Sequence, residues 1–352
     1  ANDIRGVAVD LWIGSTLAPY QYKNEANLSS LLDKAAWGTS VSIDGDEARG
    51  YKVVVGAPRF YAFPSFSDGR VAFYNLSDSL KTDWTATAGS FSGSPLRTVS
   101  RYETFSNRDG SDIVMNAGRV FVGHPDVGFF SDGPASVDQL SYTGVYQAGV
   151  INPFSSGSSS FGDQNTLAAR GKRLIVGDPT SDHASVYSTA SASPVDMGID
   201  LRPYKLDQGT NTEVYDSLPR FGVGNAIISE GVYVVGTQSS NSLYTFRPRA
   251  QGWTPLATGS TTTATLAPTA KAGTGIAIDG DTTVVGARDY DGRGAAFVST
   301  TGSGSGTWSQ QAVLQSLDGR NGDQFGDSVG VSGDTVIVGA PAGGDDRKGR
   351  AY

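Results

Sequence analysis

The chain has 352 residues, is 38% hydrophobic and 18% charged, and contains 46 glycines, which fits a large domain with many turns. Its formal net charge is −8 and no Lys/Arg cluster interrupts the sequence, which argues against a nucleic-acid partner. The absence of cysteine excludes disulfides, thiolate metal sites and cysteine nucleophiles, and the absence of an apolar run of about 18 residues argues against a membrane-spanning helix.

The first candidate strands in chain order are Ile4–Val9 and Leu11–Gly14, which fit the first two strands of a repeating unit. As an alternative, Gly6–Trp12 fits a third strand that would complete the last unit of the chain. The dipeptide Trp37-Gly38 then begins a clearer unit, whose second strand is the β-branched run Val53–Gly56.

This pattern of Phe-Gly or a variant, two strands and a Gly-Ala-Pro-like end recurs along the chain. Third and fourth strands follow in several copies, as in Gly294–Val298 and Thr307–Leu314. The copies are 50 to 67 residues apart, which is too long for leucine-rich or ankyrin repeats and typical of four-stranded propeller blades. The glycine that ends the second strand marks each copy: Gly56, Gly123, Gly177, Gly236, Gly286 and Gly339.

The sequence therefore predicts an all-β fold, a single β-propeller over residues 1–352 built from four-stranded antiparallel blades. Seven blades are preferred, six are the alternative, and the two termini are expected to close the ring. The expected blades are approximately 1–36, 37–107, 108–160, 161–220, 221–271, 272–324 and 325–352.

The last copy resembles the FG-GAP repeat, the blade unit of the integrin α-subunit propeller, in a variant with a short hairpin between its first two strands. The residues that carry the resemblance are Thr307–Gln311, Asp318–Gly326 and Gly339-Ala340-Pro341. It extends with varying fidelity over 37–352, and it implies the propeller fold more strongly than any one function, because one scaffold hosts many activities.

The resemblance also implies calcium, which integrin blades bind in loops of the Asp-x-Asp/Asn-x-Asp-Gly-x-x-Asp type. Most hairpins here offer too few oxygen ligands to bind a calcium ion. We therefore expect no cofactor other than calcium at one candidate loop. The candidate calcium ligands are Asp44 and Asp46, which we place on a longer connection from Asp44 to Lys52, with Ala48 where a third ligand would stand. Other acidic loops are interpreted as turns: Asn107–Asp112, Asp289–Gly292, Asp318–Asp323 and Gly344–Asp346.

Two loops between second and third strands, 57–69 and 125–144, are long and rich in aromatic residues. They belong to neighbouring predicted blades, so both should lie on one sector of the same face. Aromatic rings stack on sugars and anchor protein interfaces, although long loops also bury their own aromatics. The predicted ligand-binding residues are Phe60, Tyr61, Phe63, Phe66, Phe129, Phe130 and Tyr142.

The two histidines, His124 and His183, stand near Asp178 and Asp182 in the repeat pattern. A cluster of these residues would suit zinc or acid–base chemistry, but the spacing matches no metal motif. We also find no nucleophile elbow and no phosphate loop, and we expect no catalytic residues and no enzyme activity.

The preferred function is a secreted or cell-surface recognition and adhesion module that binds a glycan or a matrix or cell-surface protein. One alternative is a self-assembling subunit of an extracellular fibre or sheath. Another is a polysaccharide-acting enzyme that uses the central pocket, with Arg59, Arg288 and His124 nearby. The sequons at Asn27 and Asn75 are candidate glycosylation sites.

Overall fold

The fold is seen in a computed structural model of the chain. The structure describes residues 40–46, 50–57, 70–76, 97–99, 111–125, 135–141, 151–153, 160–202, 204–206, 213–215, 220–229, 232–237, 242–249, 252–255, 272–301, 308–343 and 350–352.

The chain divides into two compact units. The first unit comprises Trp12–Thr180 and Tyr187–Asp196, and the second comprises Ala1–Leu11, Ser181–Val186 and Met197–Tyr352. In the described ranges the secondary structure is β-strand, apart from a short 3-10 turn at Tyr290–Gly292. The expectation of an all-β fold is confirmed.

Three sheets follow one another in the first half of the chain, with strand orders β1-β2-β3-β4, β5-β6-β7 and β11-β10-β9-β8. In the second sheet, Ile151 forms an antiparallel bridge with Val137 of β7. The strands are β1 Val41–Asp46, β2 Gly50–Ala57, β3 Arg70–Leu76, β4 Arg97–Val99, β5 Ile113–Asn116, β6 Arg119–His124, β7 Ser136–Ser141, β8 Leu167–Arg170, β9 Arg173–Asp178, β10 His183–Ser188 and β11 Val195–Asp200.

The second half continues in the same way with a hairpin, β12-β13, and three sheets, β14-β15-β16-β17, β18-β19-β20-β21 and β22-β23-β24. Neighbouring strands pair antiparallel, as in Val329↔Val338 and Val285↔Phe297. The strands are β12 Tyr204–Leu206, β13 Glu213–Tyr215, β14 Phe221–Ser229, β15 Val232–Thr237, β16 Ser242–Arg249, β17 Gly252–Pro255, β18 Ala272–Asp279, β19 Thr282–Ala287, β20 Ala295–Thr301, β21 Trp308–Leu314, β22 Ser328–Ser332, β23 Thr335–Ala340 and β24 Arg350–Ala351.

Consecutive antiparallel sheets of up to four strands, each built from one sequence repeat, are the blades of a β-propeller. The predicted propeller fold with antiparallel blades is therefore confirmed, whereas the predicted blade boundaries and the number of blades stay predictions. The additional blade predicted at 1–36 lies outside the described residues, and so does the expected closure by the N-terminus.

The second strand is buried on both faces in four of the repeats. In β6, β9, β15 and β19 the first residue is partly buried and the following five are buried. A strand in the middle of a stack of sheets has no solvent face, so it favours continuous β-branched and apolar residues over alternation. This position explains the Val-Val-Gly and Ile-Val-Gly runs that mark the repeat.

The glycines of the repeat allow neighbouring sheets to approach closely. A Cβ placed on Gly123 would lie 1.8 Å from the carbonyl oxygen of Gly162, and a Cβ on Gly286 would lie 1.8 Å from that of Gly326. Any side chain at these positions would collide with backbone. The second-strand glycine of one repeat is therefore the contact point for the Phe-Gly glycine of the next.

Candidate functional site

The two aromatic loops predicted to bind ligand begin and end on paired strands. Ala57 at the end of β2 pairs with Arg70 at the start of β3, and His124 at the end of β6 pairs with Ser136 at the start of β7. The predicted ligand-binding residues themselves lie outside the described residues: Phe60, Tyr61, Phe63, Phe66, Phe129, Phe130 and Tyr142. The second loop is shorter than predicted, because β7 occupies Ser136–Ser141 within the range 125–144. Tyr142 therefore follows β7, whose last residue pairs with Arg119 at the start of β6, and it does not belong to the loop between His124 and Ser136.

The sheets that carry these loops are direct neighbours in the first unit. Val54 and Val71 of the first sheet share one apolar cluster with residues of the second sheet. The second sheet contributes Ile113, Met115, Val120, Val122 and Leu140.

Hydrogen bonds between β1 and β5 show that the two loops leave the same edge of these sheets. The backbone N–H of Ile113 donates to Ser40 Oγ (2.8 Å), and that of Met115 donates to Ser42 Oγ (2.9 Å). Because both residue numbers rise together, β1 and β5 run parallel. Their antiparallel partners β2 and β6 therefore also run parallel and end at one edge, which we call the loop edge.

A buried histidine–carboxylate pair stands at the loop edge. His124 Nε2 lies 3.0 Å from Asp138 Oδ2, and the two side chains are 6% and 1% exposed. Both residues share the face of the second sheet that carries Val122, because Val122 pairs with Asp138. Mutual attraction compensates part of the desolvation cost of such a pair. The burial of both side chains separates the pair from solvent.

The sequence indicated His124 but not Asp138. The equivalent pair in the sheet β18–β21 is Ala287 and Phe297, which are apolar core residues. Aligning the third strands of the repeats would have shown that an aspartate stands in the second repeat where β3, β16 and β20 have Ala72, Tyr244 and Phe297. The signal in the sequence was therefore a polar residue, Asp138, at a position whose equivalent in another repeat is the buried Phe297.

The other members of the predicted His/Asp cluster lie at the end of β9, at the start of β10 and in the turn between these two strands. His183 Nε2 lies 2.6 Å from Ser185 Oγ within β10, and Asp178 is buried at the end of β9. Asp182 occupies a turn with a positive φ of 51°.

Asp112 is a buried carboxylate that links three consecutive sheets. One oxygen accepts hydrogen bonds from the backbone N–H groups of Thr166 and Leu167 at 2.7 Å each, where β8 begins. The other accepts from the Ser40 hydroxyl (3.2 Å) and from the N–H of Ile113 (3.0 Å). Burial raises the pKa of Asp112 to about 7, and these hydrogen bonds oppose the rise.

A buried carboxyl that titrates near neutral pH often marks a functional site. Here the four donors identify Asp112 as a connection between the inner strands of neighbouring sheets. The sequence had grouped this residue with turn-forming acidic loops, whereas it stands directly before β5.

The candidate calcium residues lie in a hairpin, not on a long connection. Strand β1 extends to Asp46 and β2 begins at Gly50, so that Asp44 stands opposite Lys52. Among the described residues, no group of three or more His, Asp or Glu side chains could hold a metal ion. The calcium role of Asp44 and Asp46 stays a prediction, as does glycosylation of Asn75, which lies in β3, and of Asn27, which is outside the described residues.

No helix in the part of the chain that the structure describes is long and apolar enough to cross a membrane.

Comparison with known proteins supports the repeat and the fold. A family model described as FG-GAP repeat matches residues 308–352. No curated protein matches the sequence. A solved structure titled a putative 6-phosphogluconolactonase from Bacteroides uniformis ATCC 8492 is similar at 13% identity and a TM-score of 0.52, over 88% of this chain and 78% of that one.

A second structure, titled a putative 6-phosphogluconolactonase (BF1038) from Bacteroides fragilis NCTC 9343, is similar at 12% identity and a TM-score of 0.47. It covers 78% of this chain and 70% of that chain.

The Bacteroides uniformis structure corrects the expectation that the chain is not an enzyme. That expectation was wrong, because it took the fold and the lack of catalytic motifs to indicate binding alone, whereas a protein of similar fold is described as a putative 6-phosphogluconolactonase, which is an enzyme. At 13% identity the likeness extends to the fold and does not transfer a reaction. The chain is a β-propeller protein that carries an FG-GAP repeat at residues 308–352.

Proposed function

We propose that the chain is an extracellular recognition module that binds a glycan or a protein at the loop edge, through the aromatic loops 57–69 and 125–135. The observation that carries the proposal is that the bases of both loops lie at one edge of neighbouring sheets. FG-GAP repeats are typical of extracellular proteins, which supports a secreted or cell-surface location.

The chemistry of the loops suits such a ligand. Six aromatic residues within the two loops provide flat apolar surfaces for sugar C–H faces or for apolar side chains of a partner. The buried His124–Asp138 pair and the cluster around Val54 and Val122 fix the bases of the loops. Fixed loop bases lower the entropy that the protein loses on binding.

Binding to glycan arrays and to a panel of matrix proteins tests the proposal, with the wild type compared with Phe60→Ala and Phe130→Ala. Loss of one anchoring ring at an interface costs about 2 kcal/mol or more, so we expect affinity to fall at least about 30-fold. Leu317→Ala is the matched control, because Leu317 is 96% exposed and lies in the second unit. Unchanged binding by both aromatic variants would refute the proposal.

The same array, repeated with EDTA, tests the calcium role of Asp44 and Asp46. Binding that falls with EDTA and returns with added Ca²⁺ would support a metal-dependent site. Aggregation that grows with protein concentration, in the absence of any ligand, would favour the fibre or sheath subunit instead.

A hydrolytic reaction at the loop edge is the second candidate function. The fold shared with a putative 6-phosphogluconolactonase favours it. The candidate general base is His124, which Asp138 holds at the loop edge and which a substrate would reach only at the 6% of its side chain that is exposed. Hydrolysis of sugar lactones, with and without a 6-phosphate, should then occur and should fall about 100-fold or more in His124→Gln. Equal rates for the variant and the wild type would exclude His124 as the base.

A further inference from the structure

Two hairpin turns of the first unit differ in charge from the equivalent turns of the other repeats. The turn between the first and second strands contains at least one Asp or Glu in four of the six repeats, whereas the turns of the second and third repeats contain none. These two turns carry Arg119, Arg170, Lys172 and Arg173 instead. The acidic residues of the other four turns are Asp46, Glu47, Glu230, Asp279, Asp281 and Asp334.

The basic residues occupy defined positions of the hairpin. Arg119 and Arg173 each begin the second strand of a repeat, and they pair with Asn116 and Arg170 at the end of the first strand. In the fifth and sixth repeats the residue that begins the second strand is threonine. The hairpin therefore forms without a charge at this position, and the cations are not explained by the fold.

Both turns lie at the edge of the sheets opposite to the loop edge. Strand β6 begins at Arg119 and ends at the loop edge. Asp112 contacts Thr166 and Asn116 contacts Gly171, so the residue numbers rise together and β5 runs parallel to β8. The turn that follows β8 is therefore at the same edge as the turn that follows β5. We call the four cations of these turns the basic patch.

Hydrogen bonds hold the two turns together. The side-chain amide of Asn116 donates to the carbonyl oxygen of Gly171 at 2.8 Å. The guanidinium of Arg119 donates to the carbonyl oxygen of Thr189 at 2.8 Å, and the N–H of Thr189 donates to the carbonyl oxygen of Lys172 at 3.0 Å. Along the sequence the cations are divided between two segments, and these contacts join them into one surface.

The patch combines fixed and exposed cations. Arg119 and Arg173 are half-buried, and Arg173 donates to the carbonyl oxygen of Lys172 at 3.1 Å. Each of these backbone contacts uses one of the five N–H groups of an arginine, which leaves donors for an anion. Arg170 and Lys172 are exposed.

Positive charge is in excess around the patch. The loop 189–194, which contains the Thr189 acceptor of Arg119, has no Asp or Glu, and the first acidic residue after it is Asp196. Three of the four cations are arginines, whose forked donors match the oxygen atoms of carboxylate and sulfate groups. These features favour an anionic partner.

The patch is narrow, which favours a short anion over an extended one. Packed sheets lie about 10 Å apart, so the patch is about two sheets wide. The turn of the neighbouring first sheet has an excess of acidic residues, Asp46 and Glu47 against Arg49, and the formal net charge of the chain is −8. A nucleic-acid duplex or an anionic membrane would meet this acidic surface beyond the patch, whereas a short saccharide would not.

We propose that the basic patch binds an acidic saccharide through its carboxylate or sulfate groups. Arg119 and Arg173 form charge-assisted hydrogen bonds to the anion, and Arg170 and Lys172 attract it from solvent. The aromatic loops lie at the opposite edge of the same sheets. The basic patch is therefore a second site, independent of the function proposed for the loop edge.

Isothermal titration calorimetry of the full chain at low ionic strength tests the proposal. The probes are a heparin hexasaccharide, which carries sulfates and carboxylates, a galacturonic acid hexamer, which carries carboxylates alone, and neutral maltohexaose. We expect an acidic probe to bind, maltohexaose not to bind, and the affinity to fall as salt is added. Binding of the galacturonic acid hexamer identifies carboxylate as a ligand, and binding of the heparin probe alone identifies sulfate.

A pair of double variants locates the site. Arg170→Gln with Lys172→Gln removes two exposed cations of the patch, and Arg293→Gln with Arg320→Gln removes the same charge from the second unit. The affinity for the acidic probe should fall about tenfold or more in the patch variant and stay within about twofold of the wild type in the control. Equal Tm values for the two variants and the wild type show that the fold is kept.

Four results would overturn the proposal. They are equal affinities of the patch variant and the wild type, no binding of either acidic probe, and tighter binding of a DNA duplex or of phosphatidylserine vesicles than of the acidic saccharides. The fourth is loss of acidic-probe binding in Phe60→Ala, which would place the saccharide at the loop edge. Retained binding in Phe60→Ala supports a separate site, whatever that variant does to the ligand of the loop edge.

Discussion

The buried carboxyl of Asp112 makes the stability of the first unit depend on pH. Its pKa rises from 3.8 to about 7 on folding, mainly because of burial. The folded state therefore holds the proton more tightly than the unfolded chain does. The stabilisation is complete below about pH 4, and it is lost as the pH rises through 7.

The size of the effect follows from the shift. About three pKa units correspond to about 4 kcal/mol between full protonation and full ionisation, at 1.36 kcal/mol per unit. Part of this loss has already occurred at pH 5, so about 2 to 3 kcal/mol remains to be lost between pH 5 and pH 8.

Urea unfolding followed by circular dichroism measures this loss, with Asp112→Asn as the reference. Asparagine does not titrate and keeps one oxygen for the N–H groups of Thr166 and Leu167, although its amide group faces a donor at Ile113. We expect the free energy of unfolding of the wild type, relative to the variant, to fall by about 2 to 3 kcal/mol from pH 5 to pH 8. A constant difference over this range would refute the reasoning.

Three further predictions concern single positions and are measured by the same urea unfolding. Gly286→Ala should destabilise by about 3 kcal/mol or more, because its Cβ would lie 1.8 Å from the Gly326 carbonyl oxygen; a loss below about 1 kcal/mol would contradict the close approach. Ser42→Ala removes the acceptor of the Met115 N–H and should cost about 1 to 2 kcal/mol, and no loss would mean that the hydrogen bond adds nothing. Ala117 has a positive φ of 50° in an exposed turn, so Ala117→Asn should stabilise by about 0.5 to 1 kcal/mol, whereas a loss would contradict the turn conformation.

The strands of the blades could be predicted because the same strand pattern occurs several times in the sequence. Val336–Gly339 and Val284–Gly286 have the same pattern, and each copy supports the interpretation of the others. Continuous β-branched runs of this length indicate strands buried on both faces, as the structure shows for β19 but not for β23. The glycines were visible too, although the reason for them, a backbone contact between neighbouring sheets, requires the three-dimensional arrangement.

The polar contacts of the loop edge could not be predicted in the same way. Asp112 and Asp138 are single departures from the repeat, and a departure in one copy indicates neither burial nor a partner. The partners of Asp112 lie in the first and third sheets, more than 50 residues away on either side. Contacts of this range depend on how the sheets are stacked, which local patterns do not specify.

The repeat also explains why function is harder to infer than fold in this chain. A sequence that recurs in each blade is constrained by packing between sheets, so residues that bind a ligand must stand where the copies differ. In the first unit such differences converge at the loop edge: two long aromatic loops, and a His–Asp pair where another repeat has Ala and Phe. A ligand site repeated in every blade would instead require aromatic residues in the loops that follow β9, β15 and β19. Those loops, 179–182, 238–241 and 288–294, contain a single aromatic residue, Tyr290, which favours one asymmetric site.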